Sequence, residues 1–401
     1  MNLLPKPSGT RPRLACEISP DGVVAARAAD AVTPVEDVAR VMLAEGAVMP
    51  GLKPGNLVDR VAVIAATRSA LESIGVRPNS RGAELTLVIP DGAARVLLLD
   101  FDALPGKLSE ALPIVRFRLK KLVPFEADDA MVSYQVMSQT RGAVRVLAVA
   151  IPREVLGEYE TAVREAGYEP GAVLPSTLAA LPAVSGSDAV LIANAAHTGI
   201  TTAIVREGVL LLHRSIDLQP AAVGGDLNVA PTPSEASIAA QRFPENPELG
   251  NSPYLSPTLQ ADLNAEIHNA ILVAPTSLGT LTEPGTAAQA PELARVALRE
   301  DSNGNGAAAG ATELLTEEIA QAISVAAAYF EDTLSTAPST IYNAGPLSAE
   351  GLRRILVETG VGEADGLQVR ELVDGSALLP GALSASVPRS TLAGVVGALR
   401  G

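Results

Sequence analysis

The chain has few aromatic, thiol and imidazole side chains. Its 401 residues contain no tryptophan, five phenylalanines, six tyrosines, one cysteine and three histidines. Stacking surfaces for bases or sugars are therefore scarce. The single cysteine, Cys16, cannot form an internal disulfide, and His197, His213 and His268 have no Cys or His neighbours at zinc-ligand spacing. These absences exclude a disulfide scaffold and a zinc centre, and they favour a reducing compartment.

Positive charge and long apolar runs are also in short supply. Thirty Lys and Arg residues stand against 45 Asp and Glu, which gives a formal net charge of -15. Such a chain repels a phosphate backbone, so nucleic acid is not an expected partner. No apolar run reaches the roughly 20 residues that cross a bilayer, and the N-terminus lacks a secretory leader pattern. We therefore expect a cytoplasmic protein, in which any contact with a membrane must go through another molecule.

The residues that are present indicate two layered α/β domains. With 47% apolar residues, the chain can bury one large core or two medium ones. After a flexible tail over residues 1–13, strands flank the turn Ser19-Pro20-Asp21-Gly22 and predict a hairpin. Pro90-Asp91-Gly92 separates two further strands, 84–89 and 94–100, in the same strand-turn-strand pattern. The alternation continues to about residue 183, which gives a first domain over 14–183.

Apolar periodicity places the remaining elements. Pro113 is expected to kink the helix over 107–122 or to mark its true start. The other predicted segments are helices over 60–74, 153–166 and 313–334, and strands over 144–151, 189–192, 201–205, 209–213 and 340–345. A second domain begins at 184 and extends to 401. Residues 221–310 hold nine prolines and no lysine, so we expect a low-complexity, largely flexible insertion with a short helix near 261–272.

Three separated passages begin at Leu87, Ala150 and Glu207. Taken in this order, they resemble the actin-like PilM family of type IV pilus machines, and more distantly the cytoplasmic part of GspL-type secretion proteins. The first runs from Leu87-Val88-Ile89-Pro90 to Val123-Pro124-Phe125 and Tyr134-Gln135-Val136, which is similar to the family's "IPF" turn and "DYQV" strand. The second joins Ala150-Ile151-Pro152 to Leu174-Pro175-Ser176-Thr177. The third is the strand from Glu207 to Ile216, similar to "DGKLLFTRSI". A C-terminal passage over 393–400 is close to "AVGLALR".

The resemblance implies an actin-like fold, a duplicated ribonuclease H-like architecture of two domains around a nucleotide cleft. It also implies a subdomain inserted in the first domain, expected over 84–166, that binds a partner. The expected partner is the cytoplasmic N-terminal peptide of a PilN-like inner-membrane assembly protein. Pilus motor ATPases are possible further partners.

The three phosphate loops of the family are altered here. The first, "DIGSSSVK", aligns with Glu17-Ile18-Ser19-Pro20, which lengthens the acid, replaces the glycine and removes one amide donor. The second, "DIGASST", aligns with 194–200, where Asn194 replaces the acid and His197, Thr198 and Gly199 follow. The third, "SGGG", keeps only Gly345. Glu17, Ser19, Asn194, His197, Thr198, Gly199 and Gly345 are therefore candidate residues of a vestigial nucleotide site.

Damage to three loops predicts weak or absent ATP hydrolysis, so the first hypothesis is a non-catalytic scaffold with no cofactor or only weakly bound ATP and Mg²⁺. An alternative is a nucleotide-switched ATPase or kinase of the same superfold, in which Glu17 still organises Mg²⁺ and Asp21 assists. A third hypothesis, a filament former of the cell-division type, lacks the amphipathic C-terminal helix that would target a membrane. Glu17, Asn194 and His197 are also compatible with ordinary strand-end and turn roles.

Two segments are candidates for partner binding. Asn2-Leu3-Leu4-Pro5 resembles the "INLLP" peptide of PilN, which suggests that the tail occupies the partner groove of its own or a neighbouring molecule; the alternative is a leader without a role. Arg116, Arg118, Lys120 and Lys121 form the only dense basic cluster. The cluster is either the solvated face of an amphipathic helix or a docking face for an acidic partner or anionic lipid.

Overall fold

The computed structural model describes residues 12–78, 83–218, 303–361, 367–381 and 387–400, with the backbone alone described over 303–314. Most of the 1–13 tail, the NLLP motif and the predicted 261–272 helix lie outside these residues. The strands are β1 (Leu14–Ser19), β2 (Gly22–Arg27), β3 (Asp37–Met42), β4 (Ala83–Ile89), β5 (Arg95–Phe101), β6 (Ala130–Thr140), β7 (Ala143–Pro152), β8 (Tyr168–Pro175), β9 (Val190–Ala196), β10 (Gly199–Arg206), β11 (Val209–Asp217), β12 (Thr340–Asn343) and β13 (Gln368–Glu371). The α-helices are α1 (Arg60–Ser73), α2 (Leu108–Leu119), α3 (Arg153–Ala166), α4 (Ser176–Ala180), α5 (Asn303–Leu334), α6 (Ala349–Glu358) and α7 (Ala393–Arg400).

Two five-stranded sheets with the same plan form the centres of the two domains. The first has the order β3-β2-β1-β4-β8, and the second has the order β11-β10-β9-β12-β13. In each sheet the first three strands are antiparallel neighbours and the last two run parallel to the central strand. The second domain therefore repeats the topology of the first.

Local chemistry explains why the predicted segments form where they do. The hairpin of β1 and β2 requires Gly22, because its φ is +142° and a Cβ there would lie 2.4 Å from the carbonyl oxygen of Val41. Asp59 caps α1 by accepting a hydrogen bond from the amide of Ala62 at 2.9 Å. Helix α3 ends at Gly167, whose φ of +99° is the left-handed conformation of a helix C-cap. The sequence prediction of these three elements is confirmed.

The inserted subdomain is smaller than the expected 84–166. Its three-stranded sheet, β5-β7-β6, is covered on one face by α2. By contrast, β4 pairs with β1 and β8 in the first sheet, and α3 packs beside α1 on that sheet. The strands on either side of Pro90-Asp91-Gly92 thus belong to different sheets. Hydrophobic patterning identified both strands, but it could not tell which neighbours each would pair with.

Three other boundaries differ from the prediction. Helix α2 runs continuously through Pro113 from its start at Leu108, so the proline does not mark the true start. Helix α5 begins at Asn303, so the run 303–310 does not belong to the insertion; its alanines have the highest helix propensity. The C-terminal helix α7 belongs by packing to the first domain, because it lies on α4, β1, β2 and β4. Small residues allow this close approach: a Cβ at Gly397 would lie 2.2 Å from the carbonyl oxygen of Ala179.

Candidate functional site

Polar side chains converge where the parallel strands of the first sheet end. Glu17 lies near the end of β1, Asp91 follows β4, and Ser176 and Thr177 follow β8. The carboxyl ends of parallel strands share one edge of a sheet, which brings these residues together. Asn194, near the end of β9 in the second domain, faces them and is buried. We refer to Glu17, Asp91, Ser176, Thr177 and Asn194 as the interdomain cluster.

One hydroxyl group joins the two acid positions of the family's phosphate loops. Ser176 Oγ donates a hydrogen bond to Glu17 Oε1 at 2.6 Å, and it accepts one from Asn194 Nδ2 at 3.2 Å. The structure therefore brings together Glu17 and Asn194, as their alignment predicted. The link between them is a serine that the sequence analysis did not select.

Asp91 forms the second half of the cluster. Its Oδ1 accepts a hydrogen bond from the backbone amide of Thr177 at 3.0 Å, and its Oδ2 accepts from the Thr177 hydroxyl and from Asn194 Nδ2, the latter at 3.2 Å. Asn194 Nδ2 also lies 3.0 Å from Thr177 Oγ1. Because an amide donates and a carboxylate cannot, the neutral Asn194 suits a position beside Asp91. The first domain, the connecting helix α4 and the second domain are thus hydrogen-bonded to one another.

The buried setting alters two titratable groups. Burial, with a smaller contribution from the negative charge of Asp91, raises the pKa of Glu17 from 4.5 to about 7, against the opposing effect of the Ser176 hydrogen bond. Burial lowers the pKa of His213 on β11, and the Asp91 carboxylate opposes that shift. Both ring nitrogens of His213 are buried, with no hydrogen-bond partner in the described part of the chain. Two carboxyl groups, those of Glu17 and Asp91, thus lie together in a site that is partly shielded from solvent.

Two glycines allow backbone segments to pack closely against the interdomain cluster, one beside Asn194 and the other beside Glu17. A Cβ at Gly345 would lie 2.5 Å from the amide nitrogen of Ala195 and 2.6 Å from Asn194 Oδ1. The loop of Gly345 is held to β9 because the Leu347 amide donates to the carbonyl oxygen of Ala195 at 3.2 Å. On the other side, a Cβ at Gly394 would lie 2.5 Å from Glu17 Oε2. The third loop and the C-terminal helix thus both pack tightly onto the cluster.

The other candidate nucleotide residues lie outside this network. The Ser19 hydroxyl donates to the carbonyl oxygen of Gly22 at 3.0 Å and closes the first turn. His197 is exposed in the turn between β9 and β10. The Thr198 carbonyl accepts from the Leu218 amide at 3.0 Å, and a Cβ at Gly199 would lie 3.0 Å from the carbonyl oxygen of Ile216. Asp21, which the ATPase alternative invoked, has one carboxylate oxygen buried without a partner among the described residues.

The residues present do not fit a metal-bound triphosphate between the two acid positions. Glu17 and Asn194 are separated by a single hydroxyl oxygen, and both are already hydrogen-bonded to it. Asn194 is a weaker metal ligand than a carboxylate because it is neutral. Gly345, the remaining glycine of the third loop, has its open side filled by β9. Over the described residues, no group of three or more His, Cys, Asp or Glu side chains could hold a metal ion.

A groove of about 620 Å³ lies at the junction of the first domain, the inserted subdomain and β11. The groove has a mostly apolar wall with charged groups at its edge, and its lining is Met49, Gly51, Leu52, Lys53, Pro54, Gly55, Arg95, Pro124, Phe125 and Asp217. Pro124 and Phe125 belong to the turn that resembles the family's "IPF" motif. Arg95 of the subdomain pairs with Asp217 of the second domain at 3.0 Å. Residues of the first domain, the inserted subdomain and the second domain therefore all line the groove.

One groove wall is held rigidly by Asn56. Its Oδ1 accepts from the amide of Gly51 at 2.9 Å and from the hydroxyl of Tyr159 at 3.2 Å, while its Nδ2 donates to the carbonyl oxygen of Lys53 at 2.7 Å. The Glu158 carboxylate accepts from the Asn56 amide at 2.8 Å. The loop over 49–56 is thus preorganised by side chains of α3, which favours binding because less ordering is needed.

The predicted basic cluster separates into two pairs. Arg116 donates to the carbonyl oxygens of Ala127 and Ala130 and so supports the turn before β6. Lys120 pairs with Asp128. Arg118 and Lys121 are exposed, and neither takes part in the ion pairs of the described residues. None of the four side chains is among the described residues that line the groove.

Sequence analysis missed Asp91, Ser176, Thr177 and His213 as members of the site. Asp91 was assigned only to a turn, and Ser176 and Thr177 only to a passage of family resemblance. A usable signal was present, because polar residues directly after two apolar strands meet at one sheet edge if the strands are parallel neighbours. That pairing is a property of the fold, and it could not be obtained from either strand alone.

The duplicated sheets and the cluster between them define the class of the protein. Two domains with identical strand order, joined by α4 and crossed back by α7, form an actin-like fold. The sequence matches no family model. It also matches no curated protein. None of the helices over the described residues is long and apolar enough to cross a membrane.

Within this class, the fold is that of PilM. A solved structure described as the PilM-PilN type IV pilus biogenesis complex matches with a TM-score of 0.59 and 15% identity, over 97% of this chain and 97% of that chain. The cytoplasmic domain of EpsL, an inner membrane component of the Vibrio cholerae type II secretion system, matches with a TM-score of 0.34 and 12% identity over 51% of this chain and 71% of that chain. The ethanolamine utilization protein EutJ of Carboxydothermus hydrogenoformans gives a TM-score of 0.39 and 11% identity over 99% and 92%. The likeness to PilM confirms the predicted fold; the two lower TM-scores add nothing to that conclusion.

Proposed function

We propose that this protein is an actin-like scaffold of a type IV pilus or related secretion machine. It acts on the cytoplasmic side of the inner membrane, where it binds the N-terminal peptide of a PilN-like assembly protein. The observation that carries the proposal is the match over 97% of this chain to a solved structure of a PilM-PilN type IV pilus biogenesis complex. Motor ATPases of the same machine are the proposed further partners.

The groove between the first domain and the inserted subdomain is the proposed peptide site. It is lined by Phe125, Leu52 and Met49 at its apolar wall, with Lys53, Arg95 and Asp217 as charged groups. An extended segment with consecutive leucines suits this composition, because apolar side chains fill the wall and polar groups fix orientation. The rigid loop around Asn56 supports binding without rearrangement.

Phe125→Ala is expected to weaken binding of a fluorescent INLLP peptide at least tenfold, because buried aromatic anchors contribute most of the energy of such sites. The measurement is fluorescence anisotropy with the full chain. Phe117→Ala is the matched control: Phe117 lies in the same subdomain, but it is exposed on α2 away from the groove. Absence of peptide binding to the unchanged protein would contradict the scaffold proposal, and equal losses in both variants would place the peptide elsewhere.

The N-terminal tail is a proposed competitor for the same groove, in its own or a neighbouring molecule. Its Asn2-Leu3-Leu4-Pro5 resembles the partner peptide. The titration above therefore has a second arm in which residues 1–11 are deleted; Arg13 is kept because its carbonyl oxygen accepts from the Ala28 amide at 3.1 Å. Tighter peptide binding after deletion supports competition, whereas an unchanged affinity removes the tail from the proposal.

We further propose that the protein works without ATP hydrolysis, because the interdomain cluster joins the domains through its own side chains. Millimolar Mg-ATP or Mg-ADP is expected to leave the thermal unfolding midpoint unchanged. Binding at 100 times the dissociation constant would add about 2.7 kcal/mol and raise the midpoint clearly. The INLLP peptide serves as the positive control in this assay. A Mg²⁺-dependent rise with nucleotide that Glu17→Ala abolishes would restore the ATPase or kinase alternative.

A further inference from the structure

Helix α2 carries more exposed large apolar side chains than any other helix in the described part of the chain. Leu108 and Phe117 are 64% and 65% exposed, and Ile114 is 40% exposed. Three of the exposed large apolar side chains of the described residues thus lie on one helix of 12 residues. The opposite face of α2 accounts for the packing of the helix, because Ala111, Val115 and Leu119 are buried against the subdomain sheet. The outer face therefore needs a different explanation.

Positive charge lies on the same face. Ile114, Phe117 and Arg118 are spaced by three and four residues, which places them side by side on α2, and Lys121 follows in the turn after the helix ends at Leu119. The acidic residue at this spacing, Glu110, is paired with Lys107. Arg118 and Lys121 are exposed and remain outside the ion pairs of the described residues, whereas Arg116 and Lys120 are engaged by the subdomain itself. Two free cations beside apolar side chains are unexpected on a chain of net charge -15. We call Ile114, Phe117, Arg118 and Lys121 the α2 face. Leu108, the first residue of the helix, lies in line with Ala111 and Val115 and is not part of it.

The shape and charge of the α2 face indicate which kind of partner can bind to it. The outside of a helix is convex, so it offers no socket for an extended peptide, and it lies outside the groove lining. Apolar side chains flanked by Arg and Lys are the composition with which helices lie in the boundary between lipid headgroups and acyl chains. Cations of this kind are attracted by anionic headgroups and keep their charge in the headgroup layer while the apolar groups enter deeper.

We propose that the α2 face binds directly to an anionic lipid surface. This contact goes beyond peptide capture, and it does not depend on the proposed groove. The two surfaces are nonetheless close in the chain, because Pro124 and Phe125 of the groove follow Lys121 after two residues. A protein held through the groove to a membrane-anchored peptide would have the α2 face near the same bilayer.

Vesicle flotation with the full chain and no peptide tests the proposal. The protein is expected to float with vesicles of phosphatidylcholine and phosphatidylglycerol and to remain unbound with phosphatidylcholine alone. Each cation near an anionic surface strengthens binding about fivefold, so Arg118→Glu with Lys121→Glu is expected to weaken binding at least tenfold. Phe117→Ser should also weaken it, and added salt should weaken binding of the unchanged protein.

The chain offers a matched control on α6. Arg354 and Val357 are exposed on that helix of the second domain, so Arg354→Glu with Val357→Ser changes the same kinds of residue on another face. This control and Phe125→Ala should float like the unchanged protein, and Phe117→Ser should still bind the INLLP peptide, which shows that it folds. Three results would overturn the proposal: no flotation, equal flotation with both vesicle types, or flotation unaffected by the α2 variants. If an acidic protein segment covers the α2 face instead, the unchanged protein gives the first of these results while peptide binding persists.

Discussion

Gly397→Ala is expected to lower the free energy of unfolding by about 3 kcal/mol or more. The added Cβ would lie 2.2 Å from the carbonyl oxygen of Ala179 and within 2.8 and 2.9 Å of backbone atoms of Ala180. All of these are backbone atoms of α4 or its end, so no side chain can rotate away. The variant must therefore separate α7 from α4, two helices that form the close packing between the C-terminus and the first domain.

Urea denaturation followed by circular dichroism measures the effect. Gly157→Ala is the matched control, because Gly157 lies within α3 and a Cβ there has no atom within 4 Å. That control is expected to gain up to about 1 kcal/mol from the higher helix propensity of alanine. Equal stability of the two variants would show that α7 can shift without cost and would contradict the close packing. Because α7 also covers Glu17 through Gly394, loss of its docking should expose the interdomain cluster to solvent.

The hairpin, the four helices α1, α2, α3 and α5, and the subdomain strands β5 and β7 were predictable because each depends on neighbours in the sequence. Turn chemistry at Ser19–Gly22, the cap at Gly167 and the alternation in β7 are local signals. The sheet that a strand joins, by contrast, is not determined by neighbouring residues in the sequence. The residues on either side of Asp91 have the same pattern whether they form a hairpin or enter two sheets, and only long-range pairing of β4 with β1 and β8 decides between these outcomes.

The same distinction holds for the site. Glu17 and Asn194 were predicted together because the family resemblance aligns them with two phosphate loops. The partners that join them, Ser176 and Asp91, follow β8 and β4, and they approach each other only when these parallel strands are in place. For the basic cluster, the sequence identified the four cations but not their surroundings. Only the fold shows that Arg116 and Lys120 have partners within the subdomain. It also shows that Arg118 and Lys121 do not line the groove.

Glu17→Gln is expected to stabilise the protein at about pH 8 by up to about 3 kcal/mol and to change little at about pH 4. The pKa of Glu17 is about 7 in the folded protein against an ordinary 4.5. Between these values the folded state keeps a proton that the unfolded state has released, so the contribution of Glu17 to stability falls as the pH rises from about 4.5 to about 7. Above that range the ionised carboxylate remains half-buried under Gly394 and beside Asp91. Glutamine removes the cost of this poorly solvated charge, and its side-chain oxygen still accepts a hydrogen bond from Ser176.

Urea denaturation across this pH range measures the difference between the two proteins, and Glu317→Gln, an exposed position on α5, is the control expected to show no such trend. A Glu17→Gln effect that is the same at both ends of the range would contradict the raised pKa. The experiment also separates the two functional hypotheses. A divalent metal bound at Glu17 would favour the ionised carboxylate, so under the nucleotide-switch alternative millimolar Mg-ATP should abolish the stability loss above about pH 5. If the loss persists in Mg-ATP, the Glu17 carboxylate holds a proton where an actin-like ATPase would hold its metal, and the domains are joined by protein groups alone.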